Sequence, residues 1–417
     1  MAIVLYRGIL DYIYYYIVCD KFASAGFFCD FNLMMYIASW MLLFFLQKIY
    51  RITFVKYSAC PSLFVLMLLF YLQIVPMTTL FGMGFLGLDY VFADTIYWCI
   101  LFGLYYNMTF IGQNFISFKH KPIHTTLFYS IFLLCSLSVL AISGVYSGFR
   151  IQTDLLSVYD IRNSLSGAPA FIQYSFSAVR FVLPLYLIYF LEEAKYPLAG
   201  VAFVLILFNF GVVGLKGDIL IAILELLIWL FYQPKFLTKV TTLFAGFSFA
   251  CALETMLCDS YYLINLLIRR AMFLTIQISS YYFDYFTIHS PDYFQGSFFR
   301  ILGFESDYGA IPHLIGLEYF GHREMGANSG LLSDAMTNLG LVGLVFMPFF
   351  IVLFLKIYDS VSCGIDAKVY LVQSLWIGGL LISSFLSVCL ITHGVLFGLL
   401  VLMLVPRKDS TLDKQVL

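Results

Sequence analysis

Basic side chains gather in one polar stretch of this chain. Between Asp259 and Gly330 lie Arg269, Arg270, Arg300, His313, His322 and Arg323, and apolar segments long enough to cross a bilayer flank the stretch on both sides. A guanidinium is a planar fork of N–H donors that grips phosphate or carboxylate in two places at once. Arginines concentrated at a membrane face therefore point to a phosphate or pyrophosphate ligand. Arg269 and Arg270 are adjacent, so on a helix they point about 100° apart and at most one of them faces a given ligand. The plainer alternative is a surface helix resting on anionic headgroups.

Two more cations fall where charge is unexpected. Lys216 sits in Gly211-Val-Val-Gly-Leu-Lys-Gly-Asp218, a glycine-rich hairpin between two apolar runs. It is a seat for an anion, or a lysine snorkelling to the interface. Arg180 lies well inside an apolar run, where an arginine is expensive unless it faces a cavity or a partner such as Asp218 or Glu254. The richest string runs from Gly321 to Gly340. It carries His322, Arg323 and Asn328 in a glycine-rich loop, then Ser333, Asp334 and Asn338 at the start of an apolar run. An imidazole is the natural proton acceptor near neutral pH. Asp334 and Asn338 are four apart and share a helix face, although Asp334 is also well placed as a plain helix cap.

The elements that must position these residues are membrane helices. Of 417 residues, 62% are hydrophobic and only 11% charged, and mean hydropathy is +0.93. A soluble chain would carry about 25% charge. About twelve apolar runs recur, from 3–18 through 198–214 and 217–232 to 331–356, 368–387 and 390–405. The expected fold class is an all-α polytopic integral membrane protein, a single membrane domain over 1–417. The first run carries Arg7 and Asp11 and no small-residue cleavage site, so it reads as a retained helix.

Charge sidedness orients the chain. With both termini cytoplasmic, 11 of 13 lysines fall on the inner side, the exceptions being Lys21 and Lys216. Seven of ten arginines fall outside or in the outer part of a span: Arg150, Arg162, Arg180, Arg269, Arg270, Arg300 and Arg323. Lysine sets topology, while arginine stands where topology disfavours it. Two outer segments follow, 148–170 and a large one at 259–330. The larger is rich in aromatics such as Tyr281, Tyr282, Phe283, Tyr285 and Phe286, unlike a linker, and its 260–288 portion is amphipathic enough to lie in the interface as a helix. The nine cysteines show no metal-ligand spacing, but Cys19 and Cys29 are placed to meet in the first outer loop. There is no phosphate-binding Walker loop, no HExxH and no nucleotide-binding domain. No cofactor, metal or nucleic acid is expected. The energy for any reaction must arrive stored in a membrane-delivered substrate.

With these features the chain resembles the Wzy-type O-antigen and capsular repeat-unit polymerases. The likeness covers the overall layout. Locally it rests on Arg269-Arg270 followed by Tyr281-Tyr-Phe-Asp-Tyr-Phe286, on Gly326-Ala-Asn-Ser-Gly-Leu-Leu-Ser-Asp334 running into Asn338-Leu-Gly-Leu-Val-Gly343, and on the Gly-Leu-Lys-Gly hairpin. The resemblance implies a GT-C-like membrane glycosyltransferase in the bacterial inner membrane. It would join undecaprenyl-pyrophosphate-linked oligosaccharide repeats at the periplasmic face, with undecaprenyl pyrophosphate as leaving group. In that frame Arg180, Lys216 and one of Arg269 or Arg270 hold pyrophosphate. His322 or Asp334 is the base, and Arg323, Asn328 and Asn338 position sugar. Membrane lipid and a chain-length regulator protein are the implied partners. A lipid-linked oligosaccharide flippase and an O-antigen ligase are the rival readings. The flippase fits less well, because transporters place charge in a central cavity and carry internal repeats.

Overall fold

The computed structural model describes residues 1–56, 60–108, 122–150, 169–214, 216–233 and 236–407. Among these, all regular structure is helical. The main helices are α1 (Ala2–Lys21), α2 (Leu33–Lys56), α3 (Pro61–Gly82) and α4 (Leu88–Asn107). There follow α5 (Pro122–Ser147), α6 (Ala170–Glu192), α7 (Tyr196–Val213) and α8 (Lys216–Phe231). α9 (Phe236–Cys258) leads to α10 (Ile264–Phe273), α11 (Leu274–Ile288), α12 (Ile311–Phe320) and α13 (Leu332–Leu339). Last come α14 (Gly343–Ser362), α15 (Ala367–Ser383), α16 (Leu386–Ile391) and α17 (Val395–Leu404).

Among the described residues, eight helical spans are long and apolar enough to cross a membrane: α1 to α6, α9, and the run Leu332–Ser362. The chain is thus a helical protein of polytopic membrane character. The other expected crossings correspond to four shorter apolar helices, Tyr196–Val212, Ile221–Phe231, Ala367–Ser383 and Val395–Leu404. At 10–17 residues these fall short of the roughly 20 that a straight crossing requires. α2 shows what surrounds the fold, for Met34, Met41, Phe45 and Val55 all stand exposed along it. Such a surface is stable against acyl chains and would aggregate in water.

The chain splits into two compact units. The first comprises Met1–Thr109, Pro234–Phe354 and Gly378–Leu386, and the second Phe110–Gln233, Leu355–Ile377 and Ser387–Leu417. In the first unit α1 packs on α9, and α2 on α3. α3 starts with Pro61 at its first position, where the missing N–H is harmless. Farther along, the helix widens at Phe70–Ile74 into a π turn, so that the Val75 N–H donates to the Phe70 carbonyl. The next donor in that pattern would be residue 76, which is a proline with no N–H. The Tyr71 carbonyl is left over, and the buried Tyr6 hydroxyl of α1 donates to it at 2.9 Å. Tyr6→Phe should therefore strand a buried acceptor and lower unfolding stability by about 1–3 kcal/mol, measured by denaturant titration in detergent. An unchanged midpoint would show that the carbonyl finds another donor.

The deepest charge in this unit is Arg7, fully buried on α1. Its Nε donates to Asp11 Oδ1 at 2.6 Å, Nη1 to Thr78 Oγ1 at 3.1 Å and Nη2 to Ser39 Oγ at 3.2 Å. Tyr36 donates to the other Asp11 oxygen at 3.0 Å, and the guanidinium carbon lies 5.1 Å from the centre of the Trp40 ring. One ion pair thus ties α1, α2 and α3 together.

In the second unit α6 packs against α5 and α7. The Tyr186 ring lies 4.5 Å from that of Phe128, tilted by 44°, and its hydroxyl donates to the Phe128 carbonyl at 2.7 Å. α7 ends at Gly214, whose φ of 65° belongs to the left-handed region, and α8 opens at Lys216. This is the hairpin read from the glycines. Gly211 admits no side chain, because a Cβ there would stand 2.1 Å from the Arg150 carbonyl oxygen.

Candidate functional site

The polar segment is built outward from the end of α9. Glu254 accepts from the Ser260 hydroxyl and from the Leu263 N–H, both at 2.8 Å, which fixes the turn into α10. α10 is a π helix ten residues long, and α11 continues it. The two adjacent arginines diverge as expected. Arg269 is half-buried, its Nε donating to Asn265 Oδ1 at 2.8 Å and its guanidinium carbon 4.7 Å from the centre of the Phe22 ring. Arg270 is exposed.

Beyond α11, an open cleft of about 770 Å³ is lined by Tyr308, His313, Leu317, Arg323 and Glu324, with Gly309 and Ala310 at its edge. Glycines bring these residues together. Gly321 (φ 69°) stops α12 in a left-handed turn. The chain then doubles back so closely that a Cβ on Gly316 would lie 2.2 Å from the Met325 carbonyl oxygen. The His322 N–H donates to the Gly316 carbonyl at 3.2 Å. This fold-back sets Arg323 and Glu324 beside His313 on α12. Ring stacking stiffens the neighbourhood, with Tyr281 parallel to Tyr319 at 4.4 Å and His289 parallel to Tyr285 at 4.0 Å. A cation, a carboxylate, an imidazole and a phenol in one open cleft can bind a polar, hydroxyl-rich ligand and move a proton.

Of the expected site residues, Arg323 lines this cleft, and His322 and Asn328 are exposed on the same loop. Asp334 and Asn338 lie elsewhere, both buried. Asn338 Nδ2 donates to Asp334 Oδ1 at 2.6 Å, the Leu386 N–H donates to Asp334 Oδ2 at 2.7 Å, and Asn338 Oδ1 accepts the Phe294 N–H at 3.0 Å. Their polar atoms are spent inside the fold, tying α13 to the polar segment and to the start of α16. Both side chains are thus engaged by hydrogen bonds within the fold. Asp334→Ala should strand two buried donors and destabilise by about 2–5 kcal/mol, with Asp334→Asn milder. Thermal unfolding in detergent checks this, and His322→Ala is the control expected to leave the midpoint in place.

The contacts do not bring Arg269 or Arg270 into the cleft. Arg180 belongs to the second unit, its guanidinium carbon 5.5 Å from the centre of the Trp376 ring, near His393. The second unit also holds an apolar cleft of about 570 Å³, lined among others by Leu134, Ala178, Val179, Gly394 and Phe397. Lys216 opens α8, but its side chain lies outside the description, as do Arg162 and residues 151–168 of the shorter outer segment. Among the described residues, no three His, Cys, Asp or Glu side chains gather as a metal would require. The sequence reading passed over His313 as a site residue, along with Tyr308 and Glu324. The available signal was Gly316 and Gly321, which bracket the α12 turn and return the loop to His313. No family model, curated protein or solved structure matches this chain.

Proposed function

We propose that this protein is a polysaccharide repeat-unit polymerase. It would transfer a growing glycan from undecaprenyl pyrophosphate to a new lipid-linked repeat, at the periplasmic face of the bacterial inner membrane. In this reading the eight long spans and the four shorter apolar helices all cross, both termini are cytoplasmic, and the polar segment falls on that face. The observation that carries the reading is the cleft holding His313, Arg323 and Glu324 on a polar segment between apolar spans. A sugar acceptor needs hydrogen-bonding groups around its hydroxyls and a base at the attacking oxygen. His313 and His322 are both exposed, and His313 is the one that lines the cleft, which favours it for the base role. Arg180, Lys216 and one of Arg269 or Arg270 remain the cations that the resemblance assigns to the leaving pyrophosphate.

The test is deletion of the gene followed by gel analysis of the surface polysaccharide. Lipid A–core bearing a single repeat is the expected outcome. Core bearing no repeat at all would instead indicate a flippase or a ligase. Those rivals share the membrane architecture but act before or after polymerisation.

A further inference from the structure

The turn from α1 into α2 brings two thiols together. Cys19 lies in the last turn of α1 and Cys29 ten positions on, where the loop returns to α1 and the two side chains come near enough to influence each other. Both residues are half-buried. The backbone around Cys29 is pinned on each side, since Tyr14 donates its hydroxyl to the Phe28 carbonyl at 2.8 Å and the Asp30 N–H donates to the Met83 carbonyl at 3.0 Å. Phe27 is buried against Tyr14 and Phe85.

The residues between the two thiols hold the polar segment. Gln277 of α11 donates to the Ala25 carbonyl at 3.1 Å and to the Tyr281 hydroxyl at 2.9 Å. A side chain on Gly26 (φ 88°) would strike the same Gln277 amide at 2.9 Å. Phe22 is the ring against which Arg269 packs. The turn is thus a platform against α10 and α11, and its ends converge at the two sulfurs.

We infer that Cys19 and Cys29 form an intramolecular disulfide that locks this platform under Arg269 and Gln277. The inference rests on the outward placement of the turn in the proposed topology, because disulfides persist only in an oxidising compartment. Two thiols lose two protons and two electrons as the S–S bond forms. A disulfide-bearing thiol oxidoreductase accepts them and is itself reduced to a dithiol. Burial pushes the Cys29 thiol up, so little thiolate is present at neutral pH and uncatalysed oxidation is slow.

Full-length protein in membranes from aerobic cells is denatured in N-ethylmaleimide, then reduced, then treated with iodoacetamide, and its peptides are mapped by mass spectrometry. Cys19 and Cys29 should carry only the second label, and in Cys19→Ser the lone Cys29 should switch to the first. Maleimide on both residues of the unaltered protein would overturn the disulfide. A membrane-impermeant maleimide applied to spheroplasts reports the side independently. Labelling of Cys29 in the Cys19→Ser variant supports the outward turn, and labelling only after lysis overturns it. Neither readout depends on polymer formation, so the disulfide and the polymerase reading fail separately.

Discussion

Arg323→Ala and His313→Ala are each expected to collapse the polysaccharide ladder toward single repeats while protein levels stay normal. Removing one preorganised donor from a developing charge, or the base from a hydroxyl, typically slows the chemical step by about 10²–10³-fold. Both residues line an open cleft and neither lies in the buried core, so the loss should appear in rate and not in folding. Arg323→Lys should recover only part of the rate, because a point charge cannot reproduce a bidentate fork. The measurement is polymer formation from purified lipid-linked repeat in proteoliposomes, with His322→Ala in parallel. A full-length ladder from Arg323→Ala at normal expression would remove the cleft from the reaction. A collapse confined to His322→Ala would return the base to the exposed loop.

The second large effect belongs to the core. Arg7→Met or Asp11→Leu alone should destabilise the protein by about 3–5 kcal/mol, since each leaves one charge buried without its counter-ion. Arg7 is 0% exposed and Asp11 6%, so no water is at hand to take over. The double replacement should regain most of that loss, because two apolar side chains of similar volume bury no charge. Denaturant titration in detergent of both single variants and the double gives the coupling directly. Additive losses would mean that the pair is held by its other partners, Thr78, Ser39 and Tyr36, and not by mutual attraction.

These two cases differ in how far the sequence foretold them. Arg323 was legible as a candidate because an arginine in a polar segment between spans is conspicuous in composition. His313 was not, because ten residues of chain separate it from Arg323 and only the fold-back across Gly316 and Gly321 joins them. Arg7 and Asp11 were visible as charges in an apolar run. Their partners Ser39 and Thr78, however, come from α2 and α3, and no local pattern names them. Asp334 shows the same limit from the other side. Its spacing to Asn338 was read correctly as one helix face, yet the face turns inward, since the Leu386 and Phe294 N–H groups arrive there from distant segments.

By itself the sequence determined the membrane character of the chain, the position of its apolar helices, the helical polar segment between them, the divergence of Arg269 and Arg270, and the glycine stop between α7 and α8. All of these follow from hydropathy, helical period or backbone freedom, which act over a few neighbouring residues. The tertiary structure alone decided which polar groups face a cleft and which are consumed in the core. A buried donor or acceptor must find a partner wherever the fold supplies one, and that partner here lies tens or hundreds of residues away.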